Sequence, residues 1–383
     1  MDFTYDDEQV ALRDAVRGLV RKAYGDFEER RRTTREDPGF SEKLWAQLAE
    51  MGLLGLPFSE DDGGVGAGPV EVGIVAHELG RVLAPEPYLA SVVLAGGLVA
   101  ATGTPEQRAE LLGALSAGEV LLALAHQEPG SRWAPAASAV TAREEGGSWT
   151  LTGVKEPVAH GARADVLVVT AALPDGGTGA FVVAPDADGV TREGYPTYDG
   201  GRAARLSLSG TPATPLGEPG ADVTDSIAAV LDTARVVAGH EALGAMEVAL
   251  ATTTEYLKNR KQFGVPLNTF QALNFRAADM YVSLELAQSV VHWATMVLAT
   301  GDGDRSADAA ARAGLQVSRA GRHIGQEAIQ LHGGIAMTAE YSVGSYTAHL
   351  HVLEQLLGDG QHHLAALAGT VADHEVLDPL AAS

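Results

Sequence analysis

The chain has 383 residues, 46% of them hydrophobic and 20% charged, which is the make-up of a water-soluble globular protein with enough length for two or three units around a large core. Its 50 Asp and Glu against 27 Lys and Arg leave a net charge of −23, which argues against general nucleic-acid or anionic-membrane binding. With no cysteine, disulfides, thiolate chemistry and Cys-based metal centres are excluded.

Residues 1–120 read as a helical domain. Val10, Leu12, Val16, Leu19 and Val20 recur at helical spacing between Glu8 and Tyr24. The Arg30-Arg31-Arg32 run is expected to be a solvated helix end. Ser41 stands as an N-cap before Leu44, Trp45 and Leu48. Glycines 63, 64, 66 and 68 break the pattern, either as a plain turn or as a phosphate cradle, and Pro69 to Leu83 resumes it. Ser91 to Ala101 is apolar on nearly every side, so a buried helix is expected.

Residues 121–222 change character. Trp149–Gly153, Ala164–Thr170, Ala180–Ala184 and Arg205–Leu208 are short β-rich runs parted by Gly, Pro and Asp. Residues 223–383 return to the helical period, in four long segments near 226–259, 268–300, 305–332 and 338–369, followed by a frayed tail. The expected class is α+β: N-terminal helices, a small middle β-barrel or sandwich, and a C-terminal four-helix bundle.

Three blocks in the last part carry chemistry. Arg260-Lys261-Gln262-Phe263-Gly264 reads R-x-Q-F-G, Phe270-Gln271 follows, and Gln330-Leu331-His332-Gly333-Gly334 reads Q-x-x-G-G. Arginine supplies a fork of donors for a pyrophosphate, phenylalanine a flat apolar face, and glycines a close backbone approach to phosphate oxygens. In this order the blocks resemble the acyl-CoA dehydrogenase family. Nearly the whole chain shares the resemblance, through Pro57–Gly64, Glu128-Pro129-Gly130-Ser131 and Trp149–Lys155. Pro87–Ala95, Thr338-Ala339-Glu340 and Leu357-Gly358-Asp359 with His362-His363 resemble a subgroup acting on bulky, often steroid-side-chain thioesters, several of whose members are halves of α2β2 heterotetramers.

The resemblance implies that FAD is the cofactor, an acyl-CoA the substrate, α,β-dehydrogenation the reaction and electron-transfer flavoprotein the acceptor. It implies a cofactor-binding set of Arg260, Gln262, Phe263, Gly264, Gln271, Gln330, Leu331, Gly333 and Gly334. Arg235 resembles the family arginine near the CoA moiety, with an ordinary helix salt bridge as the plainer reading. The family's catalytic glutamate stands at one of two places, and here these hold Gly358 and Ala234. Two carboxylates remain. Glu241 lies two helical turns beyond Ala234, with pairing to His240 or an arginine as its plainer reading. Asp359 is more simply a loop acid or cap. On the flavin-ring side the family presents a hydroxyl before Glu-Pro and an aromatic-Ile-Ser/Thr segment after the lysine. Here stand Gln127 and Glu156-Pro157-Val158-Ala159.

A sound adenosine half beside a poor ring half points to a subunit that completes the flavin site of a sister chain. A homotetramer using Glu241 and a flavin-free scaffold are the alternatives. His349, His351, His362 and His363 are expected on a helix surface and in loops rather than around a metal, and His332 is expected to pack or hydrogen-bond locally. The N-terminus lacks an apolar signal segment, so a cytoplasmic protein is the expectation.

Overall fold

In the computed structural model, residues 4–338 and 341–371 are described. Ala339, Glu340 and the expected tail lie outside them. The N-terminal part holds α1 (Asp7–Tyr24), α2 (Phe27–Arg35), α3 (Glu42–Glu50), α4 (Pro69–Arg81), α5 (Gly97–Thr102) and α6 (Pro105–Ser116). Local chemistry sets the starts of these helices. Asp6 and Gln9 form a reciprocal capping box on α1, Thr104 and Gln107 do the same on α6, and the Ser41 side chain caps α3. The apolar run expected as a buried helix is a wide π-type stretch, Tyr88–Gly96, that continues into α5, and every residue of it is buried.

The middle part has seven strands: β1 (Leu122–Ala125), β2 (Thr141–Glu145), β3 (Ser148–Ala159), β4 (Val166–Ala172), β5 (Thr178–Val183), β6 (Val190–Pro196) and β7 (Arg202–Pro215). The pairings β4–β5, β5–β7, β7–β3 and β3–β2 are antiparallel, and a parallel contact of Thr141 with Ala172 joins β2 to β4. These pairings close into a small barrel. β1 runs parallel to β4 on one flank and β6 lies beside β7 on the other. Alternate residues such as Leu151, Val169, Phe181 and Leu206 fill the interior.

The C-terminal part holds α7 (Thr224–Asn259), a hairpin of β8 (Lys261–Gln262) and β9 (Val265–Pro266), α8 (Gln271–Leu298), α9 (Gly303–His332), α10 (Val343–Leu357) and α11 (Gly360–Gly369). The segment read as one helix over 338–369 is thus two. Gly358 at φ 125° leaves the helical path, and the Asp359 carboxylate caps α11 by accepting from the Gln361 and His362 amides. One apolar core runs from the N-terminal helices into the bundle. α4 crosses α7 so closely that a Cβ on Gly80 would lie 2.0 Å from the Glu241 carbonyl oxygen, and one on Gly244 would lie 2.1 Å from that of His77. Among the described residues no helix is long and apolar enough to cross a membrane.

Candidate functional site

α7 runs out at Asn259, and Arg260 turns the chain into the β8–β9 hairpin. Phe263 and Gly264 form its two-residue turn with φ of 54° and 82°, both in the left-handed region that a tight primed turn requires. This turn aims the Phe263 ring outward, and it is 91% exposed, with the Phe270 ring in T-shaped contact at 6.2 Å. Arg260, Gln262, Gly264 and Gln271 are exposed too, and the Arg260 guanidinium has no ion-pair partner among the described residues.

Gln330, Gly333 and Gly334 are exposed at the end of α9, whereas Leu331 turns into the core. His332 also turns inward. Its ring stacks on Tyr256 at 4.5 Å, one helical turn before Arg260, and Nδ1 donates to the Ala328 carbonyl at 2.7 Å. That stack ties the two motifs together, so His332 has the local packing role expected of it.

The β unit meets the bundle at the end of α10. Lys155, fully buried in mid-β3, donates to the His126 carbonyl, to Glu128 Oε1 at 2.8 Å and to Thr170. Glu128 also accepts from the Ser138, Ala139 and Val140 amides. Burial pulls the lysine down to about 8, while Lys155 and the amides overcome burial and hold Glu128 at about 2. His126 is held neutral, at about 4, by burial and by Lys155; its Nε2 donates to the Ala134 carbonyl and its Nδ1 meets the Thr170 hydroxyl.

The Glu128 anchor presents the following loop to α10. Trp133 Nε1 donates to the Gln355 carbonyl at 2.9 Å, Gln127 donates to that of Leu356, and Arg235 Nε donates to that of Leu357 at 2.9 Å. Three consecutive carbonyls at a helix end, which have no partner within the helix, are thereby satisfied from other elements. Arg235 also pairs with Asp232, so it is both a salt-bridge residue and an anchor for the 358 turn, beside a cavity of about 640 Å³.

Gly358 sits at φ 125°, where a Cβ would come within 2.7 Å of the His362 ring, and Ala234 is fully buried. Neither place has room for a carboxylate in this conformation. Asp359 is occupied as the α11 cap.

Glu241 does not pair with His240. Its Oε1 meets His349 Nε2 at 2.9 Å, and His349 Nδ1 meets Asp199 Oδ2 at 2.8 Å. The three residues come from α7, α10 and the β6–β7 loop. Although burial opposes it, the two carboxylates lift His349 to about 9, so both ring nitrogens carry protons and donate. The same pairing holds Asp199 well below the usual carboxylate range. His349 is therefore buried rather than on a surface, as is His363. Arg30, expected in solvent, is buried as well, and it donates to the Leu83 and Asp199 carbonyls. The Gly63–Gly68 segment is a turn whose amides from Gly63 to Ala67 all bond to carbonyls of residues 55–60, which leaves no donor cradle.

Glu241 and His349 line a cavity of about 520 Å³ between the N-terminal helices, the barrel and α10. Leu79, Leu89, Leu353 and Leu356 supply apolar wall, and Pro157 and Ala159 stand at its β-unit side. Glu86 also lines it. Glu86 Oε1 accepts from the Tyr24 hydroxyl at 2.6 Å and the Ser41 amide at 3.0 Å, its Oε2 is buried without a partner, and burial raises it to about 7. Asp199, His349 and Glu86 carry no local motif; only the fold brings them to Glu241.

Residues 6–119 match the acyl-CoA dehydrogenase N-terminal domain model and residues 224–371 the C-terminal domain model. The acyl-CoA dehydrogenase FadE27 of Mycobacterium tuberculosis is 30% identical, over 97% of this chain and 99% of that protein. Among solved structures, a variant of the Tcur3481-Tcur3483 steroid ACAD is 32% identical with a TM-score of 0.86, over 96% of this chain and 98% of that one. The ChsE4-ChsE5 complex from Mycobacterium tuberculosis is 28% identical with a TM-score of 0.88, over 98% and 100%.

Proposed function

The chain belongs to the acyl-CoA dehydrogenase family of FAD-dependent oxidoreductases, and from that premise we propose that it is the subunit supplying the adenosine–pyrophosphate half of an FAD site completed by a sister catalytic chain. The observation that carries this reading is the contrast between the two ends of the site. The Arg260–Gly264 turn and the Gln330–Gly334 turn lie open on the bundle surface, with an unpaired guanidinium and an uncovered phenyl face. Residues of this kind fit the adenosine end. Arg260 would hold the pyrophosphate, Phe263 would cover the adenine, Gln262, Gln271 and Gln330 would hydrogen-bond, and Gly333 and Gly334 would let backbone approach. Leu331 contributes by anchoring that turn in the core.

The residues at the ring end do not fit. Pro157 and Ala159 offer neither aromatic face nor hydroxyl, and the loop that would frame a ring is bonded to the end of α10. With Gly358 and Ala234 at the two base positions, proton abstraction falls to the sister chain. FAD, when bound, supplies hydride acceptance. This chain's part is to bind and orient the adenosine end and to close the assembly. The substrate class proposed is a bulky acyl-CoA, on the strength of a relative named as a steroid ACAD. Arg235 would position the 358 turn beside it, and electron-transfer flavoprotein is the acceptor the family implies.

FAD content decides the matter. The expected result is flavin near zero in this chain alone, flavin in the complex with a sister chain that has an intact ring segment, and its loss on Arg260→Ala. Flavin near one per chain in isolation would favour the homotetramer with Glu241 as base. Unchanged flavin in the Arg260→Ala complex would favour a flavin-free scaffold.

A further inference from the structure

The Arg260–Gly264 and Gln330–Gly334 turns follow the C-terminal ends of α7 and α9. Helix C-termini carry partial negative charge, which disfavours a phosphate. A pyrophosphate held there depends on how closely Arg260 and the Gly333–Gly334 backbone converge on it, because attraction falls with distance. Among the described residues no hydrogen bond or ion pair joins the two turns. Their relative position is therefore set by packing.

Three aromatic rings supply that packing beneath the open surface. Tyr256 and His332 stack at 4.5 Å with 29° between their planes. Tyr341 packs on both, 5.0 Å from His332 and 5.9 Å from Tyr256. His332 is buried and the two tyrosines are half-buried, whereas Arg260, Phe263, Gly333 and Gly334 are exposed. Two of the rings are also tied to the backbone of a turn. The Tyr256 carbonyl accepts from the Arg260 amide at 2.8 Å, and the Arg260 carbonyl accepts from the Leu267 amide at 2.8 Å, so the Arg260 backbone is held on both sides. His332 is pinned by its bond to the Ala328 carbonyl at 2.7 Å and leads directly into Gly333, whose φ of 69° suits glycine. The stack thus fixes the distance between the guanidinium's anchor point and the glycine turn.

We propose that Tyr256, His332 and Tyr341 are positioning residues for the pyrophosphate: their stack holds Arg260 and the Gly333–Gly334 turn in register, so that one ligand engages both. This rests on the adenosine-end reading of the two turns, and the experiment separates the two claims. The stack lies within one chain, so the half-site is already formed before a sister chain arrives, which is what binding without reorganisation requires.

The test uses the full chain alone, with ADP and adenosine as probes and dissociation constants from ligand-observed NMR titration. ADP is expected to bind about tenfold or more tightly than adenosine, the scale of charge-assisted hydrogen bonds to its phosphates. Arg260→Ala is expected to bring that ratio near one. Tyr256→Leu is expected to lower the ratio about fivefold with adenosine binding kept, and Tyr256→Phe, which keeps the stack, to stay within about twofold of the parent, the scale of one aromatic pair. If Tyr256→Leu shows no cooperative melting, His332→Leu takes its place with the same expectation. No binding of ADP, or a ratio that Arg260→Ala leaves unchanged, overturns the adenosine-end reading and this inference with it. A ratio lost in Arg260→Ala but kept in Tyr256→Leu overturns this inference alone. An equal loss of ADP and adenosine in Tyr256→Leu also overturns it, since that marks a general effect on the fold.

Discussion

Replacing His349 with glutamine tests the buried Asp199–His349–Glu241 array through its pH dependence. The imidazolium is raised from 6.5 to about 9 by its two carboxylates. A histidine raised on folding contributes stability that is whole below about pH 6.5 and is lost as pH rises through 9. At 1.36 kcal/mol per tenfold change in proton affinity, that contribution is roughly 3 kcal/mol. The depression of Asp199 reflects the same pairing and is not added again. An unfolding entropy of about 2.1 cal/mol/K per residue over the chain gives roughly 0.8 kcal/mol per kelvin, so the site should move Tm by about 4 °C. The assay is the Tm gap between parent and His349→Gln, followed by near-UV circular dichroism from about pH 6.5 to pH 9.5. Lys155, depressed to about 8, titrates in the same window but in both proteins, so it cancels in the gap. The gap should be widest at the acid end and narrow steadily with rising pH. A gap constant to within about 1 °C across the window would refute an imidazolium held between two carboxylates.

Two further substitutions probe the frame around the site. Lys155→Met removes the cation from a fully buried pair and leaves Glu128 charged among its three amides; a loss of roughly 3–5 kcal/mol is expected, read from the urea midpoint. Gly80→Ala places a methyl 2.0 Å from the Glu241 carbonyl oxygen, so α4 must move off α7; a loss of about 1–3 kcal/mol is expected, and an unchanged Tm would show that the two helices part without cost.

What could be read from the sequence was local. The helix–barrel–helix order follows from apolar spacing and from turn residues, and both are properties of short windows. The Arg260–Gly264 and Gln330–Gly334 motifs are likewise two short turns whose glycines and arginine declare themselves. The buried array was not legible, because its contacts join residues 108 and 150 positions apart and none of the three has a local signature. Histidines near the C-terminus looked like surface residues for the same reason: nothing nearby shows that Asp199 arrives from the barrel to bury His349. Arg30 misled in the opposite way. A run of three arginines reads as solvated, but the first of them satisfies two carbonyls at the junction of α4 with the β6–β7 loop, and a guanidinium can be buried when its donors are used.

The departure at Gly358 is more than the loss of one side chain. Its left-handed backbone ends α10, and that end is held by Gln127 and Trp133 from the β unit and by Arg235 from α7. Trp133 also rests against the His362 ring, at 5.3 Å, and His362 is the ring that a Cβ on residue 358 would strike. A glutamate there would need a different backbone, and a different backbone would release three capped carbonyls and the tryptophan with them. Two of those bonds, from Gln127 and Trp133, tie the β-unit loop to the end of α10. The backbone at Gly358 and the position of the β-unit loop are therefore coupled through one set of bonds at the end of α10.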